Sequence, residues 1–121
     1  MVVVRRYTEE LGSLELGRGF FEGWPHPPND EVQRLILKQS HRALVAIDTE
    51  KKQIVGFITA ISDGVLSAYI PLLEVLPAYR KQGTGMLLVN ALLEELKDLY
   101  MVDLCCDQEL QPFYEKCGMI K

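Results

Sequence analysis

The sequence holds little from which a metal site or a covalent framework could be built. Its three cysteines cannot all pair within one chain, no two stand as CxxC, and neither histidine lies near a cysteine. A zinc site and a disulfide scaffold are therefore not expected, and a reducing cytosol is the natural setting. Positive charge is also in deficit: 13 Lys and Arg against 17 Asp and Glu give a formal charge of −4. That argues against a basic face holding nucleic acid through its phosphates. No apolar run approaches the ~20 residues that cross a bilayer. The opening MVVVRRYTEE lacks an apolar stretch followed by a small-residue cleavage site. Neither a signal peptide nor a membrane partner is expected. Repeats, low-complexity tracts and linkers are missing too, so residues 1–121 read as a single domain.

What is present is globular material. Apolar residues make up 48% and charged residues 25% of 121, enough to close one core without staples. Residues 2–7, β-branched and apolar, read as a strand. Thr8 can cap a helix over residues 9–21, although Gly12, Gly17 and Gly19 each oppose it by roughly 1 kcal/mol relative to alanine. Three prolines exclude Gly23-Trp24-Pro25-His26-Pro27-Pro28 from helix and central strand. Asn29 or Asp30 then caps a helix to Gln39, with Val32, Leu35 and Ile36 as its apolar face. Strands are expected over residues 42–48, 53–62 and 65–76, the last two joined through the hairpin signal Asp63-Gly64. Pro71 marks a bulge or an edge. A long helix follows Gly83-Thr84-Gly85, with Leu88, Leu92, Leu96 and Leu99 along one side. A strand over residues 101–106 and a short helix over 108–116, closed by Gly118, complete the order β-α-α-β-β-β-α-β-α. This order predicts an α+β fold, a mixed sheet with helices packed on it.

The most informative segment is Leu72-Leu73-Glu74-Val75-Leu76-Pro77-Ala78-Tyr79-Arg80-Lys81-Gln82-Gly83-Thr84-Gly85. An apolar strand enters a turn, and the turn opens the long helix. Gly83 and Gly85 let backbone N–H groups approach an anion. The helix N-terminus adds unpaired donors and partial positive charge, and Arg80 and Lys81 add full charges. A pyrophosphate suits such a loop. Neither GxxxxGK[ST] nor GxGxxG occurs in the chain, so the common nucleotide loops do not compete.

The stretch from Val75 to Gly85 resembles the acetyl-CoA motif of the GNAT superfamily of N-acetyltransferases, Gln/Arg-x-x-Gly-x-Gly/Ala after Val-x-Pro-x-Tyr. Leu110-Gln111-Pro112-Phe113-Tyr114-Glu115-Lys116-Cys117-Gly118-Met119 resembles that family's second signature, and both come in family order and spacing. The resemblance implies a three-layer fold: a mixed, mostly antiparallel twisted sheet, helices on both faces, and the fourth and fifth strands splayed. It implies acetyl-CoA as co-substrate and direct attack of a primary amine on the thioester in a ternary complex. The acceptor is a small molecule or a peptide amine. Backbone groups near Glu74, Val75 and Leu76 would pair with the pantetheine arm, and Arg80, Lys81, Gln82, Gly83, Thr84, Gly85 and Met86 would hold the pyrophosphate. Family members often carry glycine where Lys81 stands; lysine fits if its φ is negative. They usually continue with two further strands beyond the point where Lys121 stands. An open sheet edge would then allow a homodimer by edge pairing. A non-catalytic coenzyme-binding module is the alternative.

Tyr114 stands at the family's general acid, which protonates the departing thiolate; a core tyrosine with its hydroxyl at the edge is the plainer reading. Glu74 is the candidate general base, weighed against a solvated strand carboxylate, with Asp63 and Tyr69 as weaker candidates. Trp24 and His26 lie where the family's acceptor loop falls, as pocket wall or as hydrophobic plug. Cys105, Cys106 and Cys117 read as small core residues.

Overall fold

The computed structural model describes residues 1–120. One sheet is built from β1 (Val2–Arg6), β2 (Glu15–Leu16), β3 (Arg42–Asp48), β4 (Gln53–Ser62), β5 (Ser67–Val75) and β6 (Met101–Asp103). Three helices accompany it: α1 (Asp30–Gln39), α2 (Thr84–Glu95) and α3 (Gln111–Lys116). The spatial order is β1-β3-β4-β5-β6. Neighbours are antiparallel as far as β5, and β6 runs parallel to β5. The two-residue β2 lies parallel to the first residues of β4, pairing Leu16 with Ile54.

The two faces can be told apart from β4 alone. A β-carbon on Gly56 would meet Leu88 Cδ1 of α2 at 3.2 Å. The next residue, Phe57, packs on Phe20 and Phe21 with ring centroids 5.0 and 6.0 Å apart. Successive strand residues point to opposite sides, so α2 covers one face and the segment around Phe20 the other. α1 is tied to the chain before it through Arg34, which donates to the carbonyls of Gly12 and Leu14. On the α2 side, Leu88, Val89 and Leu92 are fully buried; each such side chain contributes about 1.5–3 kcal/mol relative to exposure. At the far end of that helix, Arg6 and Arg42 both reach Glu95 Oε1, at 2.6 and 3.3 Å, and join α2 to β1 and β3.

Several sequence expectations need correction. Residues 9–21 are not a helix. They form a 3₁₀ turn (Glu9–Ser13), then β2, then a loop in which Gly19 and Gly23 have φ of 115° and 88°. Pairing of Leu16 with β4, extended by the Gly17 N–H to Ile54 O bond of 2.9 Å, outcompetes weak helix propensity. α1 forms as expected, with Asn29 Oδ1 accepting from Val32 N at 2.9 Å. Its buried side is nevertheless Gln33 and Leu37, whereas Val32 and Leu35 are exposed. Gln33 turns inward because its side-chain amide donates to Pro28 O at 2.8 Å. β5 starts at Ser67 rather than Val65, because Asp63 Oδ1 accepts from the N–H groups of Val65, Leu66 and Ser67 and makes a wider turn. The bulge expected at Pro71 is present: pairing jumps from Thr59↔Leu72 to Ile61↔Tyr69. β6 ends at Asp103, and residues 104–106 leave the sheet.

Candidate active site

β5 hands the chain to α2 through a short, tightly held connection. The Leu76 N–H donates to Val55 O at 2.9 Å, and Pro77–Tyr79 is a single 3₁₀ turn. The Tyr79 hydroxyl donates to Asp48 Oδ2 at the end of β3, and Asp48 Oδ1 accepts from the N–H groups of Glu50 and Lys51. The phenol bond and these N–H groups hold the Asp48 carboxyl below its ordinary pKa, and the same bond raises the Tyr79 phenol. This clamp fixes where the following loop begins.

In that loop Lys81 and Gly83 both lie in the left-handed region, with φ of 62° and 84°. The negative φ under which a lysine fits readily is thus not the one Lys81 adopts. Reversing direction twice within three residues forces the position, and this is the reason a glycine would suit it. Among the described residues, none of the backbone N–H groups of residues 81–86 donates to a protein acceptor; the ladder resumes with Leu87 N–H to Gly83 O at 3.0 Å. Consecutive free amides at a helix N-terminus form a concave anion site with partial positive charge. The two glycines serve different ends. Gly83 has open space around it and is there for its φ, whereas a β-carbon on Gly85 would touch Phe113 Cζ at 3.4 Å and Val75 Cγ2 at 3.9 Å. Thr84 is buried, Met86 half-buried, and Gln82 bonds back to Ala78 O at 3.0 Å. Arg80 turns its Nε to Val75 O at 3.1 Å and faces Glu22 across 3.7 Å.

Beyond Tyr69↔Asp103, β5 and the chain after β6 have no pairing. Because Leu76 points its N–H into the sheet, alternation turns the N–H and C=O of Val75 and Leu73 away from β4, toward this gap. A cavity of about 400 Å³ occupies the notch and brings Glu74, Tyr114, Trp24, Cys106 and Asp107 to one lining. Glu74 Oε1 accepts from the Phe21 N–H at 2.7 Å. Phe21, at φ 61°, packs edge-on to Trp24 with centroids 4.9 Å apart, so Glu74 holds the loop that carries Trp24. Tyr114 is half-buried and meets Phe113 edge-on at 5.0 Å. Its carbonyl accepts from Met119 N–H and that of Glu115 from Gly118 N–H, a Schellman closure that anchors α3 at Gly118, φ 91°. Burial, with Cys106 and Cys117 nearby, pushes the Tyr114 phenol pKa up. The phenol therefore keeps its proton.

Asp63, Tyr69 and His26 fall outside this lining. Asp63 is saturated by three backbone N–H groups, which lower its pKa. Tyr69 is exposed, its phenol pKa raised by a hydrogen bond with Cys105. His26 is exposed and not part of the lining. Cys105 and Cys106 are not core residues, being exposed and half-buried, because β6 stops short and leaves them on the notch rim, whereas the half-buried Cys117 packs against the core. A larger hollow of about 650 Å³, bordered by Arg18, Asp30 and Tyr79, contains neither Glu74, Tyr114 nor residues 80–86. Sequence reasoning missed Asp48 and Phe21, whose roles arise only from contacts between distant segments. Among the described residues no three of His, Cys, Asp and Glu gather as metal ligands, and no helix is long and apolar enough to cross a membrane.

Comparison with known proteins identifies the family of this fold. The profile of the Acetyltransferase (GNAT) family matches residues 11–119. A crystal structure of a Deinococcus radiodurans R1 protein called an acetyltransferase superimposes with a TM-score of 0.88 at 41% identity, covering 99% of this chain and 82% of that one. Glucosamine-6-phosphate N-acetyltransferase from Arabidopsis thaliana shares the fold at a TM-score of 0.70 and 20% identity, covering 100% of this chain and 92% of that one. Among curated sequences, GCN5-related N-acetyltransferase 3, chloroplastic, from Arabidopsis thaliana is 37% identical over 76 residues, which is 61% of this chain and 32% of that protein. The chain spans between about a third and just over half the length of the curated relatives it matches.

Proposed function

Since the chain belongs to the Acetyltransferase (GNAT) family, we propose that it transfers the acetyl group of acetyl-CoA to a primary amine by direct attack in a ternary complex. One observation carries the reading: a row of unpaired amides over residues 81–86 lies next to a splayed notch that holds Glu74 and Tyr114 in a single cavity. Acetyl-CoA would supply the activated thioester. The amides of Lys81, Gln82, Gly83, Thr84, Gly85 and Met86 would bind its pyrophosphate. Arg80 and Lys81 would add charge nearby. Val75 and Leu73 would offer backbone groups to the pantetheine arm, with Leu76 anchoring the strand end. Glu74 would accept the acceptor's proton, directly or through water, using the oxygen that Phe21 leaves unbonded. Tyr114, held neutral by burial, would donate a proton to the departing thiolate.

Residues 1–121 would work as one unit in the cytosol, where free cysteines persist, on a small-molecule or peptide amine. β6 forms one edge of the sheet, and a homodimer paired along it belongs to the same proposal. The Phe21 N–H bond to Glu74 also supports a second reading, a coenzyme-binding module in which Glu74 is structural. Turnover separates the two. Wild-type chain, acetyl-CoA and a panel of primary amines should give acetylated product and amine-dependent release of free CoA. Coenzyme binding without release for any amine would favour the second reading. Thermal stabilisation by ADP exceeding that by acetyl-CoA would overturn both.

A further inference from the structure

We infer that the acceptor is a primary amine on an apolar, non-anionic body, rather than an amino acid or a sugar phosphate. This rests on the acetyl-transfer reading of the notch. Among the described residues the lining contains two carboxylates, Glu74 and Asp107, and no Lys, Arg or His. Arg80, on the loop that follows β5, is already directed to Val75 O and Glu22. An ammonium entering the notch therefore meets negative charge. A carboxylate on the carbon next to the amine would be carried into the same cavity, where no cation of the described residues receives it. Such like-charge placement is the usual device by which a site rejects a ligand.

Beside these carboxylates and the polar tips of Tyr114 and the cysteines, the lining carries the apolar side chains of Trp24, Ile70, Leu72, Leu73 and Leu110. Trp24 is 51% exposed, although Phe21 steadies its ring. A large aromatic held at the mouth of a cavity offers a flat apolar surface, and its face also attracts cations. A half-buried Glu74, an exposed Asp107 and an indole at the rim together select an amine with a hydrophobic or aromatic tail.

The test uses matched pairs that differ by one anionic group: phenethylamine against phenylalanine, tryptamine against tryptophan, and glucosamine against glucosamine 6-phosphate. The full chain is assayed with acetyl-CoA, and product is identified by mass. We expect kcat/KM for each arylalkylamine to exceed that of its amino acid by about 100-fold. Asp107→Asn should raise KM for the amine and narrow that ratio, with acetyl-CoA affinity unchanged. Equal rates within pairs, or preference for the anionic member, would overturn the acceptor assignment and leave acetyl transfer standing. Acetyl-CoA binding with no arylalkylamine acetylated would overturn it too. If acetyl-CoA is neither bound nor consumed, the underlying reading fails and this inference with it.

Discussion

Replacing each loop glycine by alanine should have opposite effects, although the two lie two residues apart. Gly83 sits at φ 84° with nothing within 4 Å of a built β-carbon. Alanine there meets no neighbour but must hold a left-handed backbone, at a cost of roughly 1–2 kcal/mol. Gly85 is inside α2, and its β-carbon would sit 3.4 Å from Phe113 and 3.9 Å from Val75, ordinary contact distances. Alanine there adds helix propensity of up to about 1 kcal/mol. The two variants should therefore differ by roughly 1–3 kcal/mol, or on the order of 1 M in urea midpoint. Equilibrium unfolding in urea reads this directly, and acetyl-CoA titration reads the loop. Gly83→Ala should lose coenzyme affinity, whereas Gly85→Ala should keep it. Gly85→Glu has no such latitude: its further atoms must displace Phe113, and binding should be lost. A Gly83→Ala variant as stable as wild type, or a Gly85→Ala variant less stable than Gly83→Ala, would refute this division of labour.

Other outcomes follow from the same geometry. Tyr114→Phe should lower kcat while acetyl-CoA affinity stays close to wild type, measured by turnover and calorimetry; an unchanged kcat removes the phenol from the mechanism. Asp48 has a depressed pKa, so its contribution to stability is complete above the ordinary aspartate value and declines as pH falls through the folded one. Asp48→Asn should flatten the acid limb of the unfolding curve, and an unchanged limb would contradict the clamp. Tyr79 has the opposite shift, so its contribution is complete below the ordinary phenol value and declines as pH rises through the folded one; Tyr79→Phe should flatten the alkaline limb. Leu88→Ala, at a fully buried site under Gly56, should cost about 2–5 kcal/mol in urea unfolding.

Features governed by neighbours in sequence were legible. Asn29 caps α1 from three residues away, Leu88, Leu92 and Leu96 fall on one side of α2 and are buried, and Gly118 closes α3. The loop from Arg80 to Gly85 was legible for the same reason, since strand, turn and helix follow directly. What escaped was set by distant partners. Residues 9–21 lose their helix because β4 offers Leu16 a partner nearly forty positions on. The face of α1 escaped for a nearer reason, since the carbonyl of Pro28 just before the helix captures the Gln33 side chain. The positive φ of Lys81 was not legible, since nothing local reveals the double reversal imposed between the Tyr79 clamp and α2. Glu74 was found as a candidate base, but its bond to Phe21, 53 positions away, was invisible. That bond makes the same carboxylate hold the Trp24 loop, linking the cavity wall to its chemistry.

The most direct measurement is an amide titration. With the backbone resonances assigned, acetyl-CoA is added to the labelled chain, and the N–H signals of residues 81–86 are followed beside those of Leu73 and Val75. The expected result is a concentrated, saturable downfield movement of those loop amides as they acquire phosphate acceptors. Saturable binding that left the loop signals in place, and moved those around Arg18 and Asp30 instead, would contradict it.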